Sequence, residues 1–203
     1  LAAATTATAR QHVCDLGLGV GTASLCLAAR VPGLHIVGVE IDRNLAELAH
    51  ANAARNAHTA SFDVVVADVL KRPRTLERQS FHHVITNPPF YNSERGTRAP
   101  AHGKAQATSA QPRELIEWLR FARALARPKG WVTAIIPPEQ VPLALQALSP
   151  DGLGVEILPL WPKAGIEAKR VIIRTRTNSK TALRLVPGLV LHLDGERLSP
   201  AAD

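Results

Sequence analysis

The feature that constrains this chain most is a glycine-punctuated turn, Asp15-Leu16-Gly17-Leu18-Gly19-Val20-Gly21. It follows an apolar run, His12–Leu16, that reads as a strand, and it opens directly into Thr22–Arg30, which reads as a short helix. Glycine lets the backbone turn sharply and lets a ligand approach closely. The helix start behind the turn offers unpaired N–H groups to a polar ligand. A dinucleotide site spaces its glycines as G-x-G-x-x-G. Here the spacing is G-x-G-x-G, which disfavours a nicotinamide-dependent oxidoreductase.

Past the turn, apolar runs alternate with helical patterns, the signature of a parallel sheet with crossover helices. Strands are expected at 34–39, 62–67, Phe81–Thr86 and 131–136. A helix over 43–56 is expected to start at an Asp42 cap and to place Leu45, Leu48, Ala49 and Asn52 on one face. A second, over 113–126, carries Leu115, Ile116, Leu119, Ala122 and Leu125 on one face and ends at Pro128-Lys129-Gly130. A third is expected over 139–148. Segments 155–159 and 170–175 read as a final strand pair, and 183–193 as an added strand or a cover for the sheet. Tyr91 to Gln111 has no periodicity, and a stretch of that kind inside a domain is usually functional or disordered.

The 203 residues suit a single domain, 1–203, around one core. No apolar run approaches the roughly 18 residues of a membrane helix. Residues 1–9 lack the basic leader and apolar stretch of an export signal, and read as the tail of a helix whose beginning is missing. Cys14 and Cys26 suggest neither a disulfide nor a metal site, so both are expected as buried, reduced thiols of a cytoplasmic protein. The net charge is +7 and unevenly placed: residues 71–129 carry 12 basic and 4 acidic side chains, and 163–186 carry 7 and 1. Two basic blocks in a small domain point to a polyanionic partner, although charge alone equally describes a solvated arginine-rich surface.

The glycine turn with its preceding Asp15 resembles the cofactor loop of class I S-adenosylmethionine-dependent methyltransferases. The resemblance implies an α/β, Rossmann-like fold: a mostly parallel sheet with a C-terminal antiparallel strand pair. It also implies S-adenosyl-L-methionine as cofactor and S-adenosyl-L-homocysteine as product. Gly17, Gly19 and Gly21 would pass under the methionine part, and Asp15 would help anchor its amino-acid end. Glu40 ends the second strand, 19 residues after Gly21. An acid there can accept two ribose hydroxyl hydrogen bonds and discourages a 2′-phosphate. Asp68 ends the third strand, where the resemblance implies contact with the adenine amino group. Ile41 and Val69, beside these acids, and Asn87, after the fourth strand, join the expected cofactor site. One acid at a strand end is often only a helix cap; three ending successive strands are harder to explain that way.

The sharpest signal is Asn87-Pro88-Pro89-Phe90-Tyr91, closing the fourth strand. It lies across the expected switch point from the first strand, where open α/β sheets bind ligands. The side-chain oxygen of Asn87 and the carbonyl of Pro88 can each accept one hydrogen of an exocyclic amino group. Two prolines fix the backbone and add no competing N–H. Phe90 offers a face for a base to stack on. The catalytic group is therefore expected to be Asn87, Pro88, Pro89, Phe90 and Tyr91, working by positioning and electrostatics rather than by a strong base.

Asn-Pro-Pro-aromatic resembles the motif of adenine N6, guanine N2 and glutamine-amide methyltransferases. A wider resemblance, from Asp15 to Leu193, is to the bacterial family that modifies an adenine in the anticodon loop of valine tRNA. It is carried by Gly38-Val39-Glu40-Ile41-Asp42, Ile157-Leu158-Pro159-Leu160-Trp161-Pro162, Lys169-Arg170-Val171-Ile172-Ile173-Arg174 and Leu185-Val186-Pro187-Gly188-Leu189. Family members usually show Pro-Pro-Tyr-Phe. The Pro-Pro-Phe-Tyr order here keeps guanine N2 of ribosomal RNA, and a glutamine amide, as alternatives. They also carry a segment before the first strand that helps close the cofactor pocket, of which residues 1–11 are the remainder. The expected partner is RNA, most simply tRNA, with no membrane and no metal, and a monomer is the default. Arg95, Arg98 and Lys104, in the loop leaving the motif, and Lys169, Arg170, Arg174 and Arg176, near the last strand pair, are expected to contact phosphates and to set affinity rather than sequence. A catalytically silent fold that merely binds RNA would retain its function without Asn87.

Overall fold

The structure is a computed structural model that describes residues 1–56, 61–89, 111–193 and 197–202. Its elements run β1 (His12–Leu16), α1 (Thr22–Arg30), β2 (His35–Glu40), α2 (Arg43–Arg55), β3 (Phe62–Val66), β4 (Phe81–Thr86), α3 (Pro112–Leu125), β5 (Ala126–Ile136), α4 (Val141–Leu148), β6 (Val155–Trp161), β7 (Arg170–Arg176), β8 (Arg184–Leu185) and β9 (Leu189–Val190). The described strands join one sheet in the order β3-β2-β1-β4-β5-β7-β6-β8, with β9 also on β6. Every neighbouring pair is parallel except β5·β7 and β6·β7. The expected strand pair is therefore present, with the reversed strand inserted between β5 and β6.

Order reverses between β1 and β4, and this is the switch point. The register pairs Leu16 with Thr86, so the glycine turn and Asn87 leave adjacent strands side by side. The central strands are apolar on both faces because both faces are covered. On one side Leu16, Val84, Val132 and Ile136 pack with Leu115, Leu119, Leu125 and Leu148 of α3 and α4. On the other Val13, Ile36 and Ile85 pack with Leu27, Ala49 and Phe62.

Four expectations need correction. In α2 the buried stripe is Ala46, Ala49 and Ala53, while Leu48 is 51% exposed. Small side chains let this helix lie close on the sheet, so the bulkier apolar residues do not mark its inner face. Asp42 does cap it, accepting from Asn44 N (2.8 Å) and Leu45 N (3.3 Å). The Pro128-Lys129-Gly130 segment is not a turn between elements but part of β5. Phe81 pairs with Ala126 and His83 with Trp131, and the extra residues form a bulge. Cys14 is buried but Cys26 is exposed. The tail forms two two-residue strands beside β6 rather than one long strand. No helix among the described residues is long and apolar enough to cross a membrane.

Candidate functional site

The turn after β1 requires glycine. Gly17, Gly19 and Gly21 sit at φ of 78°, 58° and 87°, a left-handed region that costs an L side chain roughly 1–2 kcal/mol. At Gly17 a Cβ would also lie 3.2 Å from the ring of Trp118 and 3.7 Å from the backbone oxygen of Asn87. At Gly19 the same position opens on empty space, which leaves that stretch of backbone approachable. The turn is pinned from behind, where Gly17 and Leu18 both donate to the Val39 carbonyl at 2.9 Å. Leu18 in turn fills the place a Cβ on Gly38 would take, at 2.4 Å.

Two carboxylates sit under this turn. Asp15 is buried, and its Oδ2 accepts from the hydroxyl of Ser24 at 2.6 Å. Burial pushes its carboxyl up to about 7; the Ser24 hydrogen bond opposes that rise and the nearby charge of Glu40 adds to it. Glu40 ends β2 and is also buried. Its Oε1 accepts from Ile41 N (2.9 Å) and Asp42 N (3.0 Å), and its Oε2 from Gly19 N (2.7 Å). The side chain therefore ties the glycine turn to the neighbouring strand. A carboxylate has about four acceptor positions, so one remains on Oε2. Asp68 lies two residues past β3 and caps a single helical turn, Val69–Lys71, by accepting from Leu70 N at 2.9 Å. Val69, expected at the cofactor, has its side chain in the core; Val20, Ile41, Val66 and Leu70 are apolar side chains left exposed at this edge.

Asn87 is exposed directly after β4, followed by buried Pro88 and half-buried Pro89. Phe90, Tyr91, Arg95, Arg98 and Lys104 lie outside the described residues. Beneath Asn87 is a relay that sequence reasoning missed. The indole N–H of Trp118 on α3 donates to Thr86 Oγ1 (2.9 Å), whose own hydroxyl donates to the Leu16 carbonyl (2.7 Å). One side chain thus braces β4, β1 and Gly17 together. Trp118 lies between Leu115 and Leu119 on an amphipathic helix, a pattern that reads as ordinary core. Ser24 was missed for a similar reason: a serine in a first helical turn carries no mark of a buried carboxylate partner.

The basic residues near the strand pair divide. Because β7 runs opposite to its neighbours, Lys169 and Arg170 reach the same sheet edge as Asn87, whereas Arg176, opposite Trp131, is at the other. Arg174 and Arg176 do share a face, both lying over the Trp131 ring with guanidinium carbons 4.5 and 5.8 Å from its centroid. Arg174, however, is largely buried, pairs with Glu156 at 3.2 Å and donates to Thr6 Oγ1 at 3.1 Å. Its guanidinium is engaged inside the fold, which corrects the expectation of a phosphate contact.

A mostly parallel sheet ordered 3-2-1-4-5-7-6 with β7 reversed, and with an acid-flanked glycine turn and Asn-Pro-Pro facing each other at the switch point, defines a class I methyltransferase. The chain belongs to the methyltransferase small domain family, whose model matches residues 1–107. Among curated relatives, the tRNA1(Val) (adenine(37)-N6)-methyltransferase of Shewanella frigidimarina is 29% identical over 180 residues, 86% of this chain and 71% of that protein. The protein of the same name from Glaesserella parasuis is 27% identical over 164 residues, 80% and 67% of the two chains. Among solved structures, a predicted O-methyltransferase of Agrobacterium tumefaciens superposes with a TM-score of 0.79 at 25% identity, covering 98% of this chain and 90% of that one. The protein is an S-adenosylmethionine-dependent methyltransferase.

The residues present fit that cofactor. Gly19 leaves its face open, the buried Asp15 suits a cationic amino group, Glu40 keeps an acceptor position, and exposed Ile41 and Leu70 offer apolar surface to a purine. The described residues contain no group of three or more His, Cys, Asp or Glu that could hold a metal.

Proposed function

We propose that the protein methylates the exocyclic N6 amino group of an adenine in the anticodon-loop region of a tRNA, in the cytoplasm. The observation that carries this reading is Asn87-Pro88-Pro89 abutting Gly17 at the switch point. The names of the curated relatives support the choice of adenine and of tRNA.

Bound S-adenosylmethionine supplies a methyl group on a positive sulfur. Asp15, Gly17, Gly19, Gly21, Glu40, Ile41, Asp68 and the backbone beside Val69 are the groups that hold it. Asn87 Oδ1 and the Pro88 carbonyl accept the two amino hydrogens and so turn the nitrogen lone pair out of the ring plane. The nitrogen sheds one proton to water once the N–C bond has formed, so no residue need act as a strong base. Phe90 and Tyr91 are assigned to stacking on the base. An unpaired loop presents a base to such a site more readily than a stem does. A hydroxyl acceptor fits less well than an amino group, because it has one hydrogen for two fixed acceptors and must lose it.

The test is transfer from labelled S-adenosylmethionine to total bacterial tRNA lacking its own modification, followed by nucleoside mass spectrometry. N6-methyladenosine in one tRNA, absent with Asn87→Ala, is the expected result. Label in N2-methylguanosine of ribosomal RNA, or in a glutamine of a protein, would replace this reading with one of its two alternatives.

A further inference from the structure

The larger basic block holds arginines that the active site does not use. We propose that the arginine-lined cleft between the β3–β4 connection and α3 binds the phosphates of an RNA strand that extends away from the site; this rests on the reading that the substrate is RNA.

A cleft of about 650 Å³ is lined by Arg72, Arg74, Arg78 and Arg120 over Leu76 and Phe121. A second, of about 300 Å³, shares Arg78 and Arg120 and adds Arg123. The two therefore adjoin across a common wall. The connection that carries three of these arginines is anchored. Leu76 and Phe121 are buried, and Gln79 N and Ser80 N donate to the Ala124 and Leu125 carbonyls at 3.0 and 3.1 Å. The guanidinium groups thus stand on a fixed platform.

Their charge is only partly offset. Glu117 takes both Arg72 and Arg120, and Glu77 also lines the cleft. Among the described residues Arg74 and Arg78 have no carboxylate partner within ion-pair distance, and both are exposed. Five arginines against two glutamates in a concavity focus a positive potential. Guanidinium forks match phosphate oxygens in geometry as well as in charge.

The direction of the cleft favours a strand over a compact anion. It starts at Arg72, just past the Val69–Lys71 turn at the active-site edge, and ends against the last turn of α3 at the opposite edge. The lining runs from Arg72 through Arg78 and Arg120 to Asn178, so the basic groups are spread along a path rather than gathered round one anion.

The experiment measures tRNA binding by fluorescence anisotropy across a salt series for the wild type, Arg74→Gln/Arg78→Gln and Arg74→Lys/Arg78→Lys, with cofactor binding by calorimetry as a folding control. The glutamine variant is expected to bind tRNA about tenfold more weakly at low salt, with a log–log salt slope shallower by about 1.4, at roughly 0.7 for each phosphate no longer neutralised. The lysine variant should keep most of the affinity, and cofactor affinity and kcat at saturating tRNA should not move. Unchanged tRNA affinity and slope in the glutamine variant, or a wild type that binds an acidic protein but no RNA, overturns the proposal. Wild type that binds RNA through these arginines but methylates a protein glutamine would overturn the functional reading and leave the cleft standing.

Discussion

At the carboxyl edge of β1 to β4, Asp15 is buried with a single serine hydroxyl as its side-chain partner. At the β5-β7-β6 end of the same sheet, Arg174 is also largely buried, and Glu156, Thr6 and the Trp131 ring surround it. Burial shifts both groups against their charge: Asp15 rises to about 7, and Arg174 falls below its ordinary value with Glu156 offsetting part of the fall. The difference lies in what answers the charge. Arg174 is matched from within the fold and holds strands together. Among the described residues no arginine, lysine or histidine pairs with Asp15, the charge of Glu40 adds to the rise, and its burial costs stability that a cationic ligand can return. A buried charge balanced by its neighbours marks architecture, and one left unbalanced beside an open backbone marks a site.

The contrast between the two ends breaks most visibly at Asn87. Replacing it with alanine should lower kcat by about 10² to 10³, the usual loss of one preorganised polar partner of a reacting group, while cofactor affinity by calorimetry falls by less than about tenfold. A kcat within tenfold of wild type would remove Asn87 from the catalytic group. Next in size is Glu156→Gln, which strands the Arg174 guanidinium. We expect a loss of about 2 kcal/mol in chemical unfolding, with methyl transfer per folded molecule unchanged. A variant as stable as wild type would mean that the two ends of the sheet do not differ in this way.

The pH dependence sharpens the other side. The folded carboxyl of Asp15 holds its proton more tightly than the unfolded one, so folding stability without ligand falls as pH rises from about 4 to about 7. A cationic ligand group favours the ionised form. Affinity for S-adenosylmethionine should therefore weaken about tenfold per pH unit below 7, as the ion becomes the minor form, and Asp15→Asn should flatten the profile. Affinity that is flat from pH 5 to 8 in wild type would contradict this. The smallest expected effect is Trp118→Phe. Losing its bond to Thr86 should cost about 1 kcal/mol, a drop of about 2–4 °C in the thermal midpoint, together with a severalfold fall in kcat/KM per folded molecule. A purely structural tryptophan would show the first without the second.

The glycine turn, Glu40, Asp68 and Asn87-Pro88-Pro89 were readable because the constraint on each is local. Left-handed backbone, a strand end and a proline pair are properties of a few consecutive residues. The missed residues depend on distant partners. Ser24 matters because β1 buries Asp15 against α1, and Trp118 because α3 crosses beneath a turn about a hundred residues earlier in the chain. Leu48 was placed inside by its hydrophobicity and stands outside because three alanines allow closer packing than it does. Arg174 read as a free cation because Glu156 lies on a strand that pairs with it only in the sheet.

Chain order and periodicity by themselves determined the alternating elements, the mostly parallel sheet and the places of the two motifs at its strand ends, since short-range sterics and side-chain patterning act before any long-range contact. Tertiary structure alone decided which charges are answered and which are left open. It set Glu40 to hold the turn through the Gly19 N–H, Arg174 to hold β6 on β7, and the arginines of the β3–β4 connection to face a cleft. A charge acquires its role from the groups brought within a few ångströms of it, and those come from parts of the chain that no local pattern connects.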